Sequence, residues 1–264
     1  VAAGVASWPG ASGGPGPVVA VGVVYAVERL ATEWWKAIWR EDDQLAYTIP
    51  MRLGFRGRPV DDPLLRYTVG ALVAAGVIAA MLVTDAVQGL LPGLPPWLVV
   101  PVVGGIGGWA TACGGAWKDA PVEGFSGWKF LRSPVVATAW AVPLSVLTDS
   151  WVLLPLAAGG LAVASIETYK TFLTGGRPPG KFATRPVRFC YPRMRRLLPA
   201  AHALLWAVFA VVAVTTVAAP MHGLAVPELG ALSPELPETL LYAVAAVACA
   251  LAVLVGTRRR EHVR

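Results

Sequence analysis

The sequence predicts an all-α fold, a polytopic helical membrane bundle of six to seven transmembrane helices that forms one integral membrane domain over residues 1–264. Hydrophobic residues make up 56% of the chain and charged residues only 14%, well below the roughly 25% of soluble domains. Apolar stretches close to the ~20 residues that a spanning helix needs recur along the chain. Every Lys and Arg falls in one of four blocks between those stretches, 29–66, 118–132, 170–196 and 258–264.

The first element has two interpretations. Residues 17–26 are apolar, but Glu28 and Arg29 follow at once and a Trp cluster comes next. In one interpretation residues 15–35 cross the membrane and the Trp cluster anchors the inner end. In the other, residues 18–40 form an amphipathic helix that lies in the interface, so that the whole ambiguous region is 15–40. We favour the spanning helix, which gives seven spans.

Six later segments are predicted to span, because each is apolar and close to the required length. A helix satisfies its own backbone hydrogen bonds in lipid, which makes it the expected form for such segments. The predicted spans are about 67–91, 96–116, 133–150, 151–170, 199–219 and 237–256.

The basic blocks also predict an orientation, since positive loops are retained in the cytoplasm during insertion. Alternate loops then face the cytoplasm, together with the C-terminal tail, in a multi-pass protein of the plasma (inner) membrane. Trp97 and Trp151 mark the outer interface, and Trp117 and Trp128 mark the inner one, as in an aromatic belt.

The net charge is +6. We expect the basic residues to bind anionic lipid headgroups of the bilayer, because they flank apolar spans. Nucleic-acid binding is not expected, since no separate basic stripe with interleaved aromatics is present. The stretch 175–181 fits the GxxxxGK pattern of a P-loop, but Phe182 stands where Ser or Thr must hold Mg²⁺. Pro178 and Pro179 also remove backbone donors, so 177–196 is interpreted as a basic loop at the membrane surface.

Small residues form one face of the predicted span 96–116. Gly104, Gly108 and Ala112 recur at four-residue spacing, which lets another helix backbone approach closely. We expect Gly108 to lie at a helix–helix contact and this span to be central in the bundle. The alternative function of this face is a glycine hinge or a substrate groove. A membrane-protein partner or a homo-oligomer also stays open.

Three acids are the candidate catalytic residues. Asp119 and Glu123 belong to the second basic loop, where Pro121 indicates a turn. Glu167 falls where a span meets the inner headgroups, and an acid at that depth needs a partner or a polar cavity. Its simplest role is an ion pair with Lys170 or Lys129.

Four bases, Lys118, Lys129, Arg132 and Lys170, are the candidate substrate-binding residues. Carboxylates can hold Mg²⁺ through one or two ligands while bases neutralise a phosphate. In outline this is similar to membrane enzymes that transfer lipid phosphates, although the paired DxxD-type motif of intramembrane prenyltransferases is absent. The sequence therefore predicts a cytoplasmic-face site for a phosphate-bearing lipid or isoprenoid, with Mg²⁺ as the candidate cofactor.

Topology predicts that the three acids meet at one inner-face pocket with Lys129 or Arg132. The second loop leads into span 133–150, and 151–170 returns beside that span through a tight outer turn. Two other functions stay open: a transporter with Asp85 and Glu167 along its path, and a non-catalytic subunit that docks through the glycine-rich span.

Overall fold

The computed structural model describes residues 16–44, 47–173, 192–217 and 223–224, and these residues are mostly helical. Within these residues there are seven α-helices and a two-stranded antiparallel hairpin, β1 (Gly54–Phe55) and β2 (Arg58–Pro59). A π-helical turn, Tyr169–Leu173, continues the sixth helix. The helices are α1 (Pro17–Ile38), α2 (Pro63–Leu90), α3 (Pro96–Gly104), α4 (Ile106–Glu123), α5 (Gly127–Leu144), α6 (Leu153–Thr168) and α7 (Pro192–Val217).

Among the described residues, three helical stretches are long and apolar enough to cross a membrane. They are Pro63–Leu90, Pro96–Glu123 and Leu197–Thr216, and they coincide with three of the predicted spans. The helical class is thus confirmed. Helices α5 and α6, of 18 and 16 residues, overlap two further predicted spans, and α5 begins six residues before the span predicted at 133–150. The predicted span 237–256 lies outside the described residues.

The second basic loop is mostly helical, which corrects the turn expected at Pro121. Helix α4 continues to Glu123 with Pro121 inside it, and it ends where Gly124 takes a φ of 82°. Glycine reaches that region without a Cβ clash, which makes it a natural stop for a helix. Ser126 then caps α5 by accepting a hydrogen bond from the Lys129 amide. Asp119 and Glu123 therefore lie on the last turns of a helix.

Helix α6 occupies the centre of the bundle, in place of the glycine-rich span to which the sequence assigned that position. Leu153, Leu154, Ala157 and Ala158 are completely buried, and α6 contacts α1, α4 and α5 on different sides. The stretch formed by α3 and α4 has fewer buried residues, namely Val99, Val100, Val103, Gly104, Gly108 and Ala112. A helix that is apolar all round is typical of such a central position.

The expected close contact at Gly108 is confirmed. A Cβ placed there would lie 2.5 Å from the Ser133 carbonyl oxygen of α5 and 2.6 Å from the Cα atom of Pro134. Gly104 approaches Ala141 of the same helix. The small-residue face of α3–α4 is therefore used within the chain.

A second glycine contact joins α1 to α6 and was missed in the sequence. A Cβ on Gly22 would lie 2.6 Å from the Ala157 carbonyl oxygen, and a Cβ on Gly160 would overlap the carbonyl of Gly22. Further along, Arg29 contacts Glu167. The two helices therefore run parallel, with their charged ends together.

Candidate functional site

A cavity of about 740 Å³ lies between α1, α2, α4 and α6, within the range of about 300–1,000 Å³ typical of ligand pockets. Six bases and three acids line it, all near one end of the helices; we call this the charged end. The rest of the lining on α2 and α6 carries no charge. The charged lining residues are Arg29, Arg52, Lys118, Lys129, Arg132, Lys170, Glu33, Asp119 and Glu167.

Glu167 is held by helix α1. The Tyr25 hydroxyl donates a hydrogen bond of 2.8 Å to its Oε2 atom, and the Arg29 guanidinium pairs with its Oε1 atom. Glu167 therefore forms an ion pair with Arg29 of α1, a partner that the sequence did not suggest. More than 130 residues separate Arg29 from Glu167 in the chain, so only the parallel packing of α1 on α6 reveals the pair.

Lys129 joins the two acids of α4. Its Nζ atom lies 2.7 Å from the Glu123 carboxylate and 3.6 Å from the Asp119 carboxylate. Asp119 lines the cavity, whereas Glu123 is absent from the lining. Of the three acids predicted to meet in one pocket, Asp119 and Glu167 line the same cavity, whereas Glu123 contacts Lys129 and does not line it.

The bases at the charged end come from several elements. Arg132, on α5, is only 7% exposed. Lys170, on the π-helical turn, faces Arg132 and Lys129 as well as Glu167 and Asp119. Placing three cations this close is unfavourable unless anionic groups share the space. All four predicted substrate-binding bases line the cavity, and their roles stay predictions.

Lys118 reaches towards α1 and the loop that follows it. Its Nζ atom lies 3.7 Å from the Glu33 carboxylate and 3.7 Å from the sulfur of Met51. It therefore connects the end of α4 to α1 and to the loop after α1, contacts that the sequence did not predict.

The described residues contain no group of three or more His, Cys, Asp or Glu side chains placed to hold a metal ion together. Asp119 and Glu167 can each offer a single carboxylate to the cavity. A Mg²⁺ ion commonly takes only one or two protein carboxylates and fills its other positions with water and substrate phosphate. These two residues fit that limited role, and Glu123 does not line the same space.

The segment between α1 and α2 folds over the charged end. The Trp117 indole donates a hydrogen bond of 3.1 Å to the Gly54 carbonyl, and a Cβ on Gly57 would lie 3.2 Å from the Pro121 Cβ atom. The hairpin turns at Arg56 and Gly57, whose φ values are 51° and 80°. A short turn with both central φ values positive matches the tight hairpin type. We call residues 50–59 the cap.

Arg66 ties the start of α2 to the end of α1. Its side chain is fully buried. It donates a hydrogen bond of 3.2 Å to the Ile38 carbonyl and forms an ion pair with the Glu41 carboxylate. That hydrogen bond from Arg66 lowers the pKa of Glu41 below its ordinary value. The sequence interpretation missed this contact, because Arg66 counted only as a positive-inside charge.

Away from its charged end, the cavity has apolar walls. Val77, Ala80 and Met81 of α2 face it from one side, and Ile106 and Ala110 of α4 contribute to another. Asp85 is absent from the lining. The cavity thus combines a cationic end with a long apolar part.

The chain matches no protein-family model, and neither the curated proteins nor the solved structures contain a significantly similar one. The site is therefore described by its own geometry. Its charged groups gather at one end, and the predicted bases reach that end from α4, α5 and the turn after α6.

Proposed function

We propose that the protein is a multi-pass membrane protein with its charged end in the cytoplasm. In this arrangement α1, α2, α3–α4, α5, α6 and α7 each cross the bilayer, and 237–256 is the seventh span. The contacts support this arrangement, because Arg66, Lys118, Lys129 and Lys170 gather at one end of the helices. Alternate connections then carry the bases, as the positive-inside rule requires.

The spanning interpretation of the N-terminal helix is favoured by its packing. Val18, Val19 and Val23 are buried in the core that α6 dominates. A helix that lies flat in the interface would instead place its apolar face towards lipid. Its 22 residues give a length of about 33 Å, which is enough to cross the hydrocarbon core of about 30 Å.

Thiol labelling tests the orientation. In a variant without the native cysteines, Ser126→Cys is expected to resist a membrane-impermeant thiol reagent on intact cells. Gly93→Cys, in the connection between α2 and α3, is the matched control and is expected to react. Both must react after the membrane is opened. Labelling of Ser126→Cys on intact cells would overturn the orientation.

We infer that the cavity binds a phosphate-bearing lipid or isoprenoid and that the protein acts on it as an enzyme at the cytoplasmic face. The single observation that carries this proposal is the joining of a cationic end to an apolar cavity. A phosphate can neutralise the crowded bases, and a hydrocarbon chain can occupy the apolar walls. The cavity is thus complementary to such an amphipathic anion at both of its ends.

Within this proposal, Lys129, Arg132 and Lys170 hold the phosphate through charge-assisted hydrogen bonds. Asp119 and Glu167 supply the carboxylates of the site, either to accept a proton or to give Mg²⁺ one ligand each. Arg29 and Tyr25 fix the Glu167 carboxylate in position. Glu123 acts through Lys129 rather than on the substrate.

The two other functions receive less support. A transport path was expected to include Asp85 and Glu167, but only Glu167 lines the cavity. A docking subunit was expected to offer the glycine-rich face, but Gly104 and Gly108 contact α5 of the same chain.

A binding experiment tests the lipid proposal. The purified protein in nanodiscs is titrated with farnesyl phosphate and with uncharged farnesol, and bound ligand is measured by native mass spectrometry. Lys170→Gln and Lys129→Gln are each expected to weaken farnesyl phosphate binding by about tenfold, equivalent to about 1.4 kcal/mol. Arg58→Gln is the matched control, because Arg58 is exposed and does not line the cavity.

Conversion of the bound lipid, followed by chromatography in the presence and absence of Mg²⁺, separates an enzyme from a carrier. Farnesyl phosphate that binds no better than farnesol would overturn the phosphate site. Binding without conversion under any added co-substrate would favour the transporter.

A further inference from the structure

The cavity extends along nearly the whole length of α6. Its lining begins at Trp151 and Val152, just before the helix, and ends at Lys170. At a rise of 1.5 Å per residue, Val152 to Lys170 spans about 27 Å. The hydrocarbon core of a bilayer is about 30 Å thick, so one leaflet is about 15 Å deep. The cavity is therefore deep enough to pass through both leaflets.

Helix α2 forms the outer wall of this cavity and is fastened mainly near its two ends. At the charged end, the Trp34 indole donates a hydrogen bond of 3.1 Å to the Gly70 carbonyl, and Gly70 packs on Ile38. At the other end, the Gln88 side chain makes two hydrogen bonds. It donates one of 2.9 Å to the Asp149 carbonyl and accepts one of 2.8 Å from the Trp151 amide. Both attachments leave the middle of α2 beside the cavity.

The middle of α2 faces an open groove. Ala80 of α2 and Ala110 of α4 line the cavity and are nevertheless exposed, as is Ile106 at 46%. A closed helix pair would bury such residues. The cavity is thus accessible from the side, where the lipid chains lie in the proposed orientation.

We propose that the substrate is a long-chain polyisoprenoid phosphate whose tail enters sideways between α2 and α4 and extends through both leaflets. This inference rests on the proposed lipid-phosphate function and names its substrate class. An ordinary phospholipid tail fills one leaflet only and would leave the half of the cavity near Thr84 and Trp151 unfilled. Charge complementarity fixes the direction, with the phosphate at the bases and the tail towards Trp151.

The test is a chain-length comparison in nanodiscs. Farnesyl phosphate and a polyprenyl phosphate long enough to cross the bilayer are incorporated at equal mole fractions, so that both are already in the membrane. Competition for the protein is read by native mass spectrometry. The long-chain phosphate is expected to bind at least about tenfold more tightly, because it covers more apolar surface.

Groove-filling variants locate the tail. Ala80→Trp is expected to weaken binding of the long-chain phosphate more than binding of farnesyl phosphate and so to remove the long-chain advantage. Ala110→Leu is a milder variant from the opposite wall. Ile78→Trp is the matched control, because Ile78 is exposed on α2 without lining the cavity. Thermal stability in detergent confirms that each variant is folded.

The outcomes separate this inference from the function beneath it. Equal binding of short and long phosphates would overturn the polyisoprenoid inference and leave the phosphate site standing. An unchanged long-chain advantage in both groove variants would also overturn it. Failure of both phosphates to bind better than farnesol would remove the proposed function itself.

Discussion

Helices α6 and α2 are both apolar for most of their length, but the fold uses them in opposite ways. In α6, ten of the 16 residues are buried, whereas only Arg66 and Gly70 are buried in the 28 residues of α2. Helix α6 has protein on several sides. Helix α2 touches the bundle near its ends and borders the cavity between them.

This difference indicates that small residues determine which apolar helix occupies the centre of the bundle. Gly159 of α6 faces Gly107 of α4, and Gly160 faces Gly22 of α1. Two adjacent glycines thus let two backbones approach α6 from different sides, where packing between helices in lipid is favourable. Gly76 of α2 has nothing within 4 Å of a Cβ placed on it. The cavity lies between these two helices, because α6 is packed firmly into the bundle and α2 is open on the side of the cavity.

The largest expected effect comes from placing the same side chain on both helices. Gly160→Leu is expected to destabilise the protein by about 3 kcal/mol or prevent folding, because the new side chain overlaps the α1 backbone. Gly76→Leu is expected to change stability by less than about 0.5 kcal/mol, as for open surface positions. Thermal unfolding in detergent measures both. Equal effects would show that the two helices do not differ as described.

The next effect concerns the attachment of α2 at the charged end. Arg66→Met keeps the apolar length of the side chain but removes the hydrogen bonds to Ile38 and Glu41. Loss of hydrogen bonds from a charged group is expected to destabilise the fold by about 2 kcal/mol. Arg56→Met serves as control, because Arg56 is an exposed residue of the cap. The idea fails if both variants unfold at the wild-type temperature.

The smallest effect is a pH dependence at the same attachment. The hydrogen bond from Arg66 lowers the pKa of Glu41, so Glu41 stabilises the fold above its ordinary pKa. That stabilisation is lost as the pH falls through the lowered pKa of the folded state. Wild type is therefore expected to melt above Glu41→Gln near neutral pH, and the gap should shrink below about pH 4. A gap independent of pH would contradict the ion pair.

Part of the fold could be predicted because the lengths of the apolar stretches and the positions of the charges in the sequence are informative. The helical class follows from long apolar stretches, and the contact at Gly108 follows from four-residue spacing. The central position of α6 was missed, because burial all round leaves no periodic signal that distinguishes it from a lipid-facing helix. The predicted turn at Pro121 was wrong, because α4 continues through Pro121 to Glu123 and is capped by Gly124.

The candidate site was predicted in part for a related reason. Asp119, Lys129 and Arg132 are close in sequence, and the tight turn before α6 brings Lys170 near them. Arg29 and Tyr25 act on Glu167 from a distant helix, and no local pattern reports a parallel contact over that separation. The cap was missed as well, because Arg56 stands where turns of this type prefer Asn, Asp or Gly, so that only Gly57 signals the turn.

An experimental structure of the nanodisc-embedded protein with a polyprenyl phosphate bound tests the central claim most directly. The account predicts density for the phosphate at the charged end, with its oxygens within about 3 Å of a nitrogen of Lys129, Arg132 or Lys170. The chain density should run from there between α2 and α4. A phosphate found away from these three bases, or a cavity without lipid at saturating ligand, would contradict the account.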